Sequence, residues 1–292
     1  MPEPASPTAR RRRLAAELRR LREHTDLVGE QVAERMGWSA SKLSRIENAH
    51  TTPRPSEIKK LLLLYGIDGK QAEQLVALAQ EANRKGWWEA YSGALPDAHS
   101  GYIGLEAEAT ASCHWAPEFV SGLVQTEDYA RALITSHARA ITPIPPGEIQ
   151  GRVEARMIRQ KILERDPPFE LNLVFDESVL LRRIAPDKVM RGQFGRLIEV
   201  SEMETVTLQI LPLDGPHAII TGGFILLQFG KVHEVGYHDV AYLEHLTGAE
   251  NFEEEKLTYQ YQLAFERLTG LSLSPGRSRD VIARAAETWP QP

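Results

Sequence analysis

The chain has a single cysteine, Cys113, in 292 residues. That excludes an internal disulfide and a multi-cysteine metal site, and it favours a reducing compartment, the cytoplasm. No apolar run approaches the roughly 18 to 20 residues that a membrane span needs; Leu61 to Leu64 reads as a helical core patch. Basic residues near the amino terminus are not followed by an apolar stretch, so no secretory signal is expected. A glycine-rich phosphate loop is missing, since Gly222-Gly223 reads as a turn into a strand. Ser92-Gly-Ala and Ser121-Gly-Leu lack the elbow that surrounds a nucleophilic serine. None of the nine histidines falls in a helical His-Glu-x-x-His pattern. Cys113 and His114, adjacent on an expected strand, project to opposite faces and cannot share a metal. His217, in the turn Asp214-Gly-Pro-His, has no assignable role. No catalytic residue, cofactor or metal is therefore expected.

What is present is an uneven charge distribution. Residues 1–64 hold 13 Lys and Arg against 8 Asp and Glu, while the remainder holds 21 against 32. A net charge of −6 thus hides a basic amino-terminal module in front of an acidic body. Only the front suits a phosphate backbone. Arg outnumbers Lys 25 to 9, which fits a GC-rich genome.

Within the basic module, the stretch from Gly29 to Asn48 has the spacing of two short helices joined by a tight turn. A small residue, Ala33, stands where the helices must approach, and Gly37 occupies the turn, where a left-handed backbone costs glycine least. Val32, Met36, Trp38, Leu43 and Ile46 fall where a shared core would close. A helix-turn-helix is expected; a plain helical hairpin is the alternative. The second of these helices presents Ser39, Ala40, Ser41, Lys42, Ser44 and Arg45. Arg45 suits a bidentate contact to guanine, with a solvated surface charge as the bland alternative. Lys42 suits a base or a phosphate. Arg10 to Arg13 and Arg54 suit phosphate contacts, which give affinity without sequence choice.

Periodicity extends this to a five-helix domain over residues 10–85, with helices at Arg10–His24, 29–36, 40–48, from a cap at Ser56 to Tyr65, and Lys70–Lys85. Residues 1–9 read as a Pro-rich disordered tail and 86–99 as a boundary. Residues 100–292 read as an α/β (α+β) domain with a mixed sheet. Its expected strands are Ala111–Phe119, Phe169–Phe175, Val206–Leu211, Gly223–Phe229 and Val235–Leu243. Its expected helices are Glu127–Ser136, capped by Thr126, then Glu148–Arg165, Asp187–Met203, Glu253–Thr269 and Arg279–Thr288. The acidic run Glu250 to Glu255 reads as a helix start. The aromatics Trp87, Trp88, Tyr91 and Tyr102 suit inter-domain core or an interface anchor.

Residues 14–66 resemble the Xre/Cro-type helix-turn-helix of phage repressors, a lambda-repressor-like five-helix fold. The resemblance implies a structural pair between Arg22, late in the first helix, and Glu47, late in the recognition helix. It also implies a phosphate contact from Asn48. Many members carry Gln at the start of the second helix to clamp a phosphate; this chain has Gly29 there. The stretches Tyr102–Ala109, Phe119–Arg131, Arg156–Leu163, Gln209–Pro212 and Gly223–Leu226 resemble the carboxy-terminal domain of Scr1-type, antitoxin-like actinobacterial regulators. That pattern has Pro-Gly-Leu-Leu-Gln-Thr where this chain has Ser121-Gly-Leu-Val-Gln-Thr126, which predicts a looser turn.

Together these resemblances imply a cytoplasmic transcriptional regulator, on the nucleoid when bound to double-stranded DNA and dimeric by default. They also imply a small protein partner encoded nearby. An antitoxin that neutralises such a partner and represses its own operon, and a small-molecule-responsive repressor, stay open as alternatives.

Overall fold

The computed structural model describes residues 9–289, apart from 142, 218–221, 234 and 247; of the tail expected at residues 1–9, residues 1–8 lie outside them, while Ala9 is already the buried first residue of a helix. Two compact units emerge. The first holds the residues up to Glu89 together with Ser100–Glu108 and Phe229–Tyr237; the second holds Ala90–His99, Ala109–Gln228 and the residues from His238 onward.

In the first unit five helices surround one core: α1 (Ala9–Glu23), α2 (Gly29–Met36), α3 (Ala40–Glu47), α4 (Pro55–Leu64) and α5 (Gly69–Ala82). Leu14, Leu18 and Leu21 form the inner stripe of α1. They are buried with Val32, Leu43, Ile46, Ile58, Leu61, Leu62, Leu75 and Leu78 from the other four helices. Helices α2 and α3 have eight residues each, shorter than the ~12–15 that are marginal alone in water. Burial worth roughly 1.5–3 kcal/mol per large apolar side chain holds them instead. Helix α4 starts one residue before the expected cap at Ser56. Pro55 stands in its first turn, where a missing N–H costs nothing, and Glu57 Oε2 accepts the Arg54 N–H at 2.8 Å.

The segment Phe229–Tyr237 is closed by a bridge between Val232 and Val235, which exchange N–H···O bonds of 3.0 Å. Both valines pack on the five-helix core. This segment engages α1 through Arg13, which is 1 % exposed. Arg13 Nη2 donates to the Gly230 carbonyl at 2.9 Å, and the guanidinium lies 5.9 Å from the Tyr237 ring centroid. Arg10 is shared between Glu81 and Glu108 at 3.7 Å each. The expectation that Arg10 to Arg13 hold DNA phosphates is therefore corrected at Arg13, which is spent inside the protein. At Arg10 the charge is already matched by carboxylates.

In the second unit six strands form one sheet in the order β3-β2-β1-β4-β5-β6. They are β1 (Ala111–Ala116), β2 (Glu170–Asp176), β3 (Val206–Leu211), β4 (Phe224–Gln228), β5 (Val240–His245) and β6 (Gly248–Phe252). The β1–β2 and β2–β3 pairs are parallel, whereas β1–β4, β4–β5 and β5–β6 are antiparallel, so the sheet is mixed as expected. Parallel neighbours need long crossovers. These contain α7 (Glu127–Ala140) and α8 (Pro146–Arg159), then α9 (Ser178–Leu181) and α10 (Asp187–Val200). Helix α11 (Glu255–Leu271) covers one face through Phe265 and Leu268, which pack on Cys113, Trp115, Leu226 and Ala241. Helix α12 (Pro275–Thr288) is fastened to β3 by the Ile210 N–H, which donates to buried Ser278 Oγ at 2.9 Å.

Three expectations shift here. Strand β1 stops at Ala116 because Pro117 cannot extend it, and β5 starts only at Val240 because Val235 is taken by Val232. The acidic run is not a single helix start. Its first part is edge strand β6, with Leu243 opposite Glu250 and Ala241 opposite Phe252, and the helix begins at Glu255. Charge on an edge strand blunts further pairing. Helix α6 (Asp97–Glu106) was not anticipated. It is buried continuously from Gly101 to Glu106, so no amphipathic period marks it.

Glu108 supplies a pH handle on the first unit. Burial raises its carboxyl pKa to about 7, against the pull of Arg10 and Arg13. With a folded value above the ordinary 4.5, the folded state binds the extra proton between those limits. The stabilisation carried by the neutral acid is lost as pH rises through about 7. Glu108→Gln should therefore raise the melting temperature relative to wild type at pH 8 and lose that advantage at pH 5. A variant-minus-wild-type difference that is the same at both pH values would contradict it.

Candidate nucleic-acid interface

Helix α2 ends at Gly37, whose φ of 66° is left-handed. The Gly37 N–H reaches the Glu34 carbonyl at 3.0 Å and the Trp38 N–H reaches the Ala33 carbonyl at 2.8 Å, the pairing that closes a helix on a glycine. Ala33 is buried beneath this turn. Ser39 opens α3, its Oγ accepting the Lys42 N–H at 3.2 Å. At the other end Asn48 Nδ2 donates to the Ser44 carbonyl at 2.8 Å and lies 3.3 Å from Ser44 Oγ. Leu43 and Ile46 point inward, so the outer face of α3 carries exposed Ser39, Ala40, Ser41, Ser44, Arg45 and Asn48, with exposed Arg54 beyond it.

One member of the expected reading set, Lys42, is held by other residues, and the expected Arg22–Glu47 pair forms. Lys42 Nζ lies 2.5 Å from Glu57 Oε1 and 4.3 Å from the Trp38 ring centroid. Arg22 and Glu47 meet in a bidentate pair, Nε to Oε1 at 2.7 Å and Nη2 to Oε2 at 3.1 Å. Their side chains are only 15 % and 11 % exposed, and Arg22 Nη1 also donates to the Leu27 carbonyl at 3.3 Å. One guanidinium thus ties α1, the connection to α2, and the end of α3. Near Gly29, the adjacent Gln31 uses its Oε1 on the Val28 N–H at 3.1 Å.

In the second unit Cys113 and His114 sit in buried settings. Burial pushes the Cys113 thiol up to about 12. His114 is buried between Ser121 Oγ at 2.8 Å and Ser112 Oγ at 2.6 Å; burial, with Arg159 nearby, lowers it to about 3. It is a neutral hydrogen-bonding spacer at physiological pH. His217 Nε2 lies 3.0 Å from the Pro212 carbonyl and its Nδ1 3.9 Å from Asp176 Oδ2, which fastens the loop after β3. Among the described residues no group of three or more His, Cys, Asp or Glu side chains could hold a metal ion, and no helix is long and apolar enough to cross a membrane. Of the boundary aromatics, Trp88 packs over Gly104 so closely that an added Cβ there would lie 3.2 Å from its ring, and Tyr102 is buried.

Residues 13–75 match a helix-turn-helix domain, and residues 100–284, more than half of the chain, match a domain of unknown function, DUF5753. The chain belongs to the DUF5753 family. No curated protein and no solved structure matches it. With its helix-turn-helix domain, this DUF5753 protein is a DNA-binding regulator.

Inside the DUF5753 region, Phe119–Arg131 and Arg156–Leu163 are brought together around a short 3-10 turn, Gly122–Val124. Gln160 Nε2 donates to the Gly122 and Gln125 carbonyls at 2.9 and 2.7 Å. Gln125, itself buried, accepts from Arg156 Nη1 at 2.9 Å and donates to the Val120 carbonyl at 2.6 Å. Gln193 reaches the Val124 carbonyl and the Thr126 N–H, each at 2.8 Å. The turn is thus bolted rather than loosened where the pattern's proline is missing. Ser121 holds a φ of −55°, close to what proline would impose, and adds its bond to His114. Sequence reasoning placed Gln125 and Gln160 in signatures but gave them no task, and it did not single out Gln193, because the partners of all three are mostly backbone groups.

Removing half of the Arg22–Glu47 pair tests its role. Arg22→Met should cost about 2–3 kcal/mol in urea unfolding, since it strands a partly buried carboxylate. The double variant Arg22→Met/Glu47→Met should recover most of that loss. A single-variant loss below about 0.5 kcal/mol, the size of an exposed pair, would overturn the assignment.

Proposed function

We propose that this regulator is a sequence-specific transcription factor whose α3 enters the major groove of its operator, and whose DUF5753 region receives a signal from a protein partner. The observation that carries the first half is Arg45. It stands exposed on the outer face of α3, and among the described residues its guanidinium has no ion pair or hydrogen bond. An arginine in that position can donate two parallel bonds to the O6 and N7 of a guanine. Ser39, Ala40, Ser41 and Ser44 are short enough to let the helix approach the base edges, while Asn48 and Arg54 flank it as phosphate contacts. Two such heads in a dimer would read half-sites about one helical turn apart.

The second half rests on the resemblance of the carboxy-terminal stretches to Scr1-type, antitoxin-like regulators. It favours a small protein encoded nearby over a catalytic role, and makes an autoregulating antitoxin the natural variant of the same reading. Cys113 and His114 are buried, and burial holds the thiol protonated and the imidazole neutral. Copurification with the product of the adjacent small gene tests the partner; absence of any complex would count against it.

Arg45→Ala should cost about 1–3 kcal/mol of discrimination between operator and unrelated duplex, with melting temperature unchanged. The check is titration against both duplexes at physiological salt. Unaltered selectivity would remove α3 from the reading role.

A further inference from the structure

Glu57 is set directly against Lys42 in the first turn of the reading helix, and both of its oxygens are used. Oε2 accepts the Arg54 N–H at 2.8 Å, closing the start of α4. Oε1 lies 2.5 Å from Lys42 Nζ, while Trp38 faces the same ammonium at 4.3 Å. The carboxylate is anchored by the backbone before it meets Lys42. It is therefore a fixed anion rather than a mobile side chain that happened to pair. The hydrogen bond from Lys42 holds its carboxyl below the ordinary carboxylate range, so it stays ionised through neutral pH. Lys42 and Glu57 are each partly exposed, at 35 % and 26 %, so both stand where an incoming phosphate would meet them.

We propose that Glu57 is a positioning residue that withholds Lys42 from the DNA phosphate backbone, leaving sequence choice to Arg45 and the hydroxyls of α3. This rests on the assignment of α3 as the reading helix. A lysine freed from its carboxylate would add one phosphate contact, and each contact steepens the dependence of log affinity on log salt by about 0.9. At 0.15 M salt that slope corresponds to about a fivefold gain. The gain applies equally to operator and unrelated duplex, because a phosphate contact carries no sequence information.

The test uses the full chain and two duplexes, operator and scrambled, titrated across a range of salt. Glu57→Gln keeps a carbonyl to accept the Arg54 N–H and removes only the charge. It should bind both duplexes about fivefold tighter at 0.15 M, with a slope steeper by about 0.9 and an unchanged ratio between the two. Lys42→Met/Glu57→Gln should return to the wild-type slope, since one neutral pair replaces another. A wild-type slope in Glu57→Gln would overturn the proposal. So would a double variant whose slope falls below wild type by about one contact, which would mean that Lys42 already touches phosphate. A changed operator-to-scrambled ratio would make Lys42 a base reader instead. If instead Arg45→Ala leaves the operator-to-scrambled ratio unchanged, it is the reading of α3 that fails, and that outcome is distinct from a wild-type slope in Glu57→Gln.

Discussion

The bidentate contact between Arg22 and Glu47 fixes the orientation of α3, on which the proposed reading of DNA depends. Helices α2 and α3 are too short to keep an orientation by themselves, and the apolar core beneath them is non-directional. A planar guanidinium against a carboxylate adds the direction that the core lacks. Because the pair joins the end of α1 to the end of α3, the exposed face of α3 is set by the longer helix. Gly37 completes the constraint from the other side, where the left-handed turn decides how α3 leaves α2.

The same economy governs charge. Thirteen basic residues in the first 64 suggest a broadly cationic surface, yet Arg13 is buried, Arg10 is shared by two carboxylates, Arg22 is locked to Glu47 and Lys42 is held by Glu57. Arg45 and Arg54 stand exposed on or beside α3. In the sheet unit, three glutamines are likewise committed to backbone partners. Gln125, Gln160 and Gln193 satisfy the carbonyls of a turn that would otherwise carry unpaired polar groups into the interior.

The helical head was legible because its signals are local. A 3.6-residue period, a glycine at the turn and caps all act within a few residues. The parallel strands were legible as apolar runs, and β3 lies where the pattern put it, at Val206–Leu211. The outer face of α3 followed from the same period, and the Arg22–Glu47 pair came from resemblance alone. What escaped depends on distant partners. Nothing in four consecutive arginines says that one of them donates to a carbonyl 217 positions away, and nothing in Lys42 announces Glu57 on the next helix. Helix Asp97–Glu106 escaped because continuous burial erases periodicity. Strand β6 escaped because an edge strand tolerates the glutamates that elsewhere mark a helix start.

The buried guanidinium of Arg13 bears on how such a protein can be assembled by gene recombination. Its acceptor lies in Phe229–Tyr237, whose flanking residues are the antiparallel neighbours β4 and β5. A head severed at residue 85 and joined to another body would carry a buried cation without its carbonyl and a core without Val232 and Val235. The helix-turn-helix is thus continuous in sequence, but the folded body that presents it is not. Shuffling would have to move both stretches together, which ties the inheritance of this head to that of its sheet.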